Sequence, residues 1–147
     1  MYSPILENRT LEEIEGKVWG EPEFGSHLVV AVHRLRRKTL KEFSNEDIRL
    51  CISQNFFLEY LVPLALVRLQ KNVLATSEDT GTSLLLRVLE IEPEYWVQHQ
   101  EHLNGLSKLI TENLATIKNA VKLSDDFTIE DINAILANAN KLFGINL

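Results

Sequence analysis

The stretch NFFLEYLVPLALVRLQKN, residues 55–72, places the tightest limit on what this chain can fold into. Glu59 is the one charge between Phe56 and Val67, and the next, Arg68, follows nine residues after it. Side chains nine apart leave opposite faces of a helix, so a helix here has no polar face to turn to water. A helix of that kind is the surrounded one, and the rest of the chain must supply the elements that cover it. Pro63 removes a backbone donor from its middle and is expected to kink it. The longest uninterrupted apolar run, LVPLALV, is seven residues, far below the ~20 needed to cross a bilayer.

The flanking segments also read as helical. Thr10 and Glu13 have capping-box spacing and open LEEIEGKVW, residues 11–19; the turn-rich GEPEFGS closes it. Residues 27–38 place Leu28, Val32 and Leu35 at helical spacing, although LVVAV is β-branched enough to pass for a short strand. Ser44 with Asp47 marks a further start, with Phe43 and Ile48 set to staple across the cap. TSEDTGTS is a loop, and LLLRVLEIE is a brief helix ended by Pro93. Trp96, His99, Leu103, Leu106, Ile110, Leu114, Ile117 and Val121 then step by three or four and mark one long buried stripe, with Asn104-Gly105 as its expected break. Thr128 with Asp131 opens the last helix, Phe127 and Ile132 staple it, and Ile132, Leu136, Ala139 and Phe143 form its inner face up to a stop at Gly144. At 147 residues, 45% hydrophobic and 24% charged, the chain can close one core and is not of the disordered class. The expectation is all-α: an irregular single-domain bundle of six or seven helices around the central apolar helix 56–71.

Charge is unevenly placed. The chain carries a formal −6, yet residues 33–50 hold six basic side chains (Arg34, Arg36, Arg37, Lys38, Lys41, Arg49) against three acidic ones. Arg34, Arg36, Arg37 and Lys38 fall in the last turn predicted for residues 27–38, where cations complement the helix dipole. Glu46 and Asp47 fall at the positive end of the next helix. Two sequential helices show that layout without any ligand, and the local excess is not the domain-wide one of a nucleic-acid binder. Acidic residues gather elsewhere. Residues 76–103 hold Glu78, Asp79, Glu90, Glu92, Glu94 and Glu101 against Arg87 alone, and the first 25 residues hold Glu7, Glu12, Glu13, Glu15, Glu21 and Glu23 against Arg9 and Lys17. Charge alone favours a solvated surface; a docking face for a basic partner is the sharper reading.

Catalytic chemistry finds little support. His99 and His102 are spaced to share one helix side beside Glu101, but the pattern is not His-Glu-x-x-His, a third ligand is missing, and His99 lies on the apolar stripe. Asp125-Asp126 and Glu130-Asp131 flank a helix start, where carboxylates serve as caps. No phosphate-cradling glycine loop or Gly-x-Ser-x-Gly elbow occurs. Cys51 is the single cysteine and reads as a small buried hydrophobe in a reducing compartment. The N-terminus shows no basic region followed by an apolar one, so a cytoplasmic protein with neither metal nor cofactor is expected.

Five motifs occur in one order: Leu11 to Glu15, Trp19 to Pro22, His33 to Leu40, Ser44 to Leu50 and Tyr60 to Leu66, with a further Leu-Leu-x-x-Val-Leu helix before Pro93 to Trp96. Together they resemble the immunity proteins of bacterial contact-dependent growth inhibition (CDI) systems, over about residues 6–96. Ser53-Gln54-Asn55 and Phe56-Phe57 depart from that pattern, and residues 97–147 form a helical C-terminal extension with no counterpart in it. The resemblance implies a non-enzymatic cytoplasmic inhibitor. It would bind the C-terminal toxin domain of its cognate system one-to-one and occlude the active or substrate-binding surface, with no direct contact to nucleic acid or membrane. Such toxins are often nucleases with basic surfaces, which makes Glu78, Asp79, Glu90, Glu92, Glu94, Glu12 and Glu13 the candidate contacts. HRLRRK would then be structural, salt-bridged to Glu46, Asp47 or the N-terminal glutamates, or a toxin contact. A helical scaffold holding a partner peptide in an apolar groove is the rival reading.

Overall fold

The computed structural model describes residues 4–20 and 27–147. Among them every regular element is a helix. The α-helices run in the order α1 (Leu11–Glu15), α2 (His27–Leu35), α3 (Asn45–Ser53), α4 (Leu58–Lys71), α5 (Leu84–Leu89), α6 (Pro93–Gln98), α7 (Gln100–Glu112), α8 (Leu114–Lys118), α9 (Ala120–Leu123) and α10 (Ile129–Phe143). Short 3-10 turns span Pro4–Asn8 and Leu40–Glu42. Strand-like pairing is limited to two isolated bridges, Thr10 with Thr39 and Thr76 with Ser83.

The apolar stretch 55–72 does form the central helix. In α4 the six consecutive residues Leu61, Val62, Pro63, Leu64, Ala65 and Leu66 are all buried, which requires cover on every side. α3, α5 and α7 supply that cover. Pro63 lies inside the helix without ending it. α10 packs on α5, and its Ile132, Ile135 and Ala139 join the same core cluster as Leu11, Ile48, Leu64, Val88 and Trp96.

The local start signals act as their chemistry predicts. Ser44 accepts from the Asp47 N–H while Asp47 accepts from the Ser44 N–H, and Thr128 and Asp131 do the same. Phe43 with Ile48 and Phe127 with Ile132 are buried beside those caps. Gly144 ends α10 at φ 65°, where a Cβ would be strained. Residues 27–33 are helical, so cooperative burial of Val32 and Leu35 overrides the β-branched run.

Three expectations need correction. The first helix stops at Glu15 rather than Trp19, because Gly16 takes φ 66° and its N–H bonds back to the Glu12 carbonyl. α2 stops at Leu35, so of the four cations only Arg34 lies in its last turn, and Arg36, Arg37 and Lys38 sit in the turn beyond. The closing part of GEPEFGS, residues 21–26, lies outside the described residues. The long stripe from Trp96 is divided four ways, at His99, Asn113 and Asn119, whereas Asn104-Gly105 lies inside the unbroken α7. Asn113 and Asn119 each turn the side-chain amide onto the carbonyl four residues back, both at 2.8 Å. Asn138 makes the same bond to Ala134 at 2.7 Å inside the unbroken α10, so the amide weakens the helical ladder without by itself ending it. Trp96, Leu106, Ile110 and Ile117 on the stripe are buried, but Val121 is 45% exposed.

Candidate functional site

Four of the six cations in the basic segment are paired within the fold, while Arg34 and Lys41 are exposed. Arg36 has no exposure and pairs with Glu15; its second terminal nitrogen donates to the Lys17 carbonyl at 2.6 Å. Its guanidinium lies 4.0 Å from the Trp19 ring centre and 5.5 Å from that of Phe57. Phe57 adopts φ 58°, a left-handed conformation that is rare for a bulky residue, and its ring closes on Trp19 at 5.9 Å. Arg37 reaches Glu12 at 3.4 Å, Lys38 reaches Asp47 at 2.8 Å, and Arg49 pairs with Glu46. Arg68 donates to the Phe43 carbonyl at 2.7 Å. Within HRLRRK, Arg36, Arg37 and Lys38 thus find the N-terminal glutamates and Asp47 expected of them, whereas Glu46 is taken by Arg49. The hydrogen bond from Arg49 is the main reason the Glu46 carboxyl titrates below its ordinary value.

The candidate contact residues divide into two kinds. Glu12 and Glu13 hold local structure, Glu12 against Arg37 and Glu13 against Thr10. Glu78 accepts from the backbone N–H groups of Asn45 (3.0 Å) and Glu46 (2.9 Å), at the positive end of α3. Burial pushes its carboxyl up, but those donors outweigh burial and leave it below the usual carboxylate value. Asp79 is exposed beside it, in the field of Arg49. Glu90 ends α5 and meets Arg87 at 3.4 Å. Glu92 precedes Pro93 at the start of α6, and Glu94 lies in its first turn; both are exposed, with no ion pair among the described residues. The chain thus brings Glu90, Glu92 and Glu94 together at the α5–α6 junction and leaves Glu78 and Asp79 in the loop before α5.

Two clefts flank that junction. One, of about 300 Å³, lies between residues 89–93 and Asn138, Lys141 and Leu142 of α10. The other, of about 200 Å³, is lined by Ile52, Ser53, Asn55, Arg87, Glu90 and Glu92. A third, of about 240 Å³, opens between Pro63, Leu66 and Val67 of α4 and Glu101, His102 and Gly105 of α7. Sequence reasoning missed this third cleft, since it depends on how α4 and α7 pack.

His99 and His102 do come together, as a stack rather than a chelate. Their ring planes differ by 12° with centres 5.3 Å apart, and Tyr95 stacks on His99 at 4.1 Å. Stacked rings keep their lone pairs in separate, nearly parallel planes, which do not converge on one ion. No group of three or more His, Cys, Asp or Glu able to hold a metal occurs among the described residues. The Tyr95 hydroxyl lies 3.1 Å from the Leu58 carbonyl and 2.7 Å from His102 Nδ1, and its single hydrogen serves one of the two, the imidazole tautomer deciding which. Burial first, then His99, hold His102 below the ordinary imidazole value. Cys51 is fully buried, and burial followed by Asp47 pushes its thiol up to about 12, outside the range of a reactive cysteine.

No helix among the described residues is long and apolar enough to cross a membrane. No curated protein and no solved structure matches the chain. The family model for CDI immunity proteins matches residues 13–106, from the α1 turn through α4 and into α7. That span holds the Arg36 cradle, the Lys38–Asp47 and Arg49–Glu46 pairs and the whole lining of the α4–α7 cleft. With well over half of its length so matched, this chain belongs to the family of CDI immunity proteins.

Proposed function

We propose that the protein neutralises the toxin domain of its own CDI system in the cytoplasm of the producing cell, by covering an active or substrate-binding surface one-to-one. The toxin in this reading is a nuclease, whose substrate-binding face is basic. The observation that carries the proposal is the exposed acidic group at the α5–α6 junction. There Glu92 and Glu94 stand without an ion pair among the described residues, while four of the six cations in 33–50 (Arg36, Arg37, Lys38 and Arg49) are paired with carboxylates of the fold. A surface of that sign draws in a basic partner and raises the association rate. Asp79 adds charge from the loop before α5, and Glu12, Glu13 and Glu78 add theirs while also holding local structure.

Charge reversal tests this directly. Replacing Glu90, Glu92 and Glu94 by lysine together is expected to weaken toxin binding tenfold or more, which is at least ~1.4 kcal/mol. Unchanged affinity would remove the junction from the interface. One observation favours the rival scaffold reading: Val121 and Ile129 are exposed along an apolar groove shared by α9 and α10. Binding that ignores ionic strength and is abolished by Ile129→Glu would support that groove instead.

A further inference from the structure

Seven large apolar side chains stand exposed among the described residues, and three of them, Val121 (45%), Leu123 (61%) and Ile129 (66%), fall within residues 121–129. Single exposed apolar residues are ordinary, but a cluster with a polar rim marks an interaction surface. Val121 and Ile129 line a groove of about 320 Å³ together with Lys118, Lys122 and the buried Ile132.

Charges of both signs border this patch. Lys118 and Lys122 lie on its α8–α9 side, and Asp125 and Glu130 follow in the loop after α9 and the first turn of α10. All four are exposed, and none forms an ion pair among the described residues. Asp126 accepts from the Thr76 hydroxyl and Asp131 caps α10, so neither belongs to this set. The lysines sit in the last turns of α8 and α9 and Glu130 in the first turn of α10, where the helix dipole favours each sign. The dipole gives no reason for exposed valine, leucine and isoleucine among them. Across residues 118–130 the cations come first and the carboxylates last, with the apolar groups spread between them. A patch of that kind is complementary to itself: after a two-fold rotation the apolar centre meets its own copy and each basic end faces an acidic one.

We propose that this patch is the interface of a homodimer, a second copy of the chain packed about a two-fold axis, with Lys118 and Lys122 of each copy facing Asp125 and Glu130 of the other. Complementary charge fixes the register, and the apolar centre supplies the contact area. The patch lies outside residues 13–106, the span matched by the family model, and at the start of α10. A rise of about 18 Å along that helix separates Ile129 from Lys141, which lines a cleft beside the α5–α6 junction. Dimerisation and toxin binding therefore use different ends of α10, and each copy keeps its acidic junction free.

Sedimentation velocity on the full chain over a range of concentrations tests this, with thermal midpoints as the check on folding. The wild type is expected to sediment as a dimer that dissociates on dilution. Ile129→Glu, Lys118→Glu with Lys122→Glu, and Asp125→Lys with Glu130→Lys are each expected to raise the dimer Kd at least about tenfold. An equimolar mixture of the two charge variants should recover the dimer, because each then meets the sign opposite to its own. Adding Ile129→Glu to both members should abolish that recovery. A wild type that stays monomeric up to about 1 mM overturns the proposal and leaves the groove to a partner peptide. A wild-type dimer that all three variants leave intact overturns it as well. Charge variants that stay monomeric when mixed overturn the two-fold pairing, and recovery that survives Ile129→Glu in both members overturns the apolar centre.

Discussion

Two charged regions of this molecule look alike as residue counts and behave in opposite ways. Residues 33–50 are rich in cations, yet Arg36, Arg37, Lys38 and Arg49 each have a carboxylate partner, and Arg36 is wholly buried. Residues 90–102 are rich in acids, and there Glu92 and Glu94 project into solvent while Glu101 lines a cleft. The first region uses charge to fix the N-terminal turns against α2 and α3. The second presents charge outward. A local excess of one sign therefore does not reveal a binding surface; the location of its counter-charges does.

The comparison breaks most sharply at Arg36. Arg36→Met leaves the partly exposed Glu15 and the Lys17 carbonyl without their donor and should cost about 2–3 kcal/mol in denaturant unfolding, the range for lost hydrogen bonds to a charged group. A loss below about 1 kcal/mol would place this pair with the exposed ones. Ser44→Ala removes the capping box of α3 and should cost about 1 kcal/mol by the same measurement. Lys38→Ala removes a partly exposed pair with Asp47 and should cost less than about 1 kcal/mol, shrinking further in high salt. In the second region, Glu92→Gln with Glu94→Gln should change stability by less than about 0.5 kcal/mol. The same pair should slow toxin association at low salt, with the difference vanishing at high salt.

The slightest signal lies in the pH dependence. His102 is held below its ordinary value, so on acidification the unfolded chain takes up this proton first, near pH 6.5, while the folded chain resists until lower pH. Stability contributed by the neutral imidazole is thus present above about pH 6.5 and is lost as pH falls towards the folded value. His102→Asn should flatten the stability slope between pH 7.5 and 5, measured by urea midpoints. An unaltered slope would mean the imidazole is not held neutral by its burial.

What could be read from the residues was what depends on a few neighbours. The caps at Ser44 and Thr128, the stop at Gly144 and the surrounded character of α4 each follow from side chains within a turn or two. The breaks at His99, Asn113 and Asn119 were not legible, because the three-four spacing of apolar residues runs on through them. The asparagines at the ends of α7 and α8 give no periodic sign. Acidic candidates could be chosen by position along the chain, but not sorted. That Glu78 is occupied at the end of α3 while Glu92 stands clear depends on contacts with residues more than thirty positions away.

The division of residues 93–123 into four pieces has a consequence for the size of the molecule. A single straight helix over that span would be about 45 Å long at 1.5 Å per residue, against a radius of gyration of about 15 Å expected for a chain of this length. It would project from the body as an exposed rod. Jointed at one histidine and two asparagines, the same residues curl back so that Ile117 and Ala120 reach the interior. Substituting leucine for both asparagines should therefore lengthen the molecule in small-angle scattering, even as helix content rises.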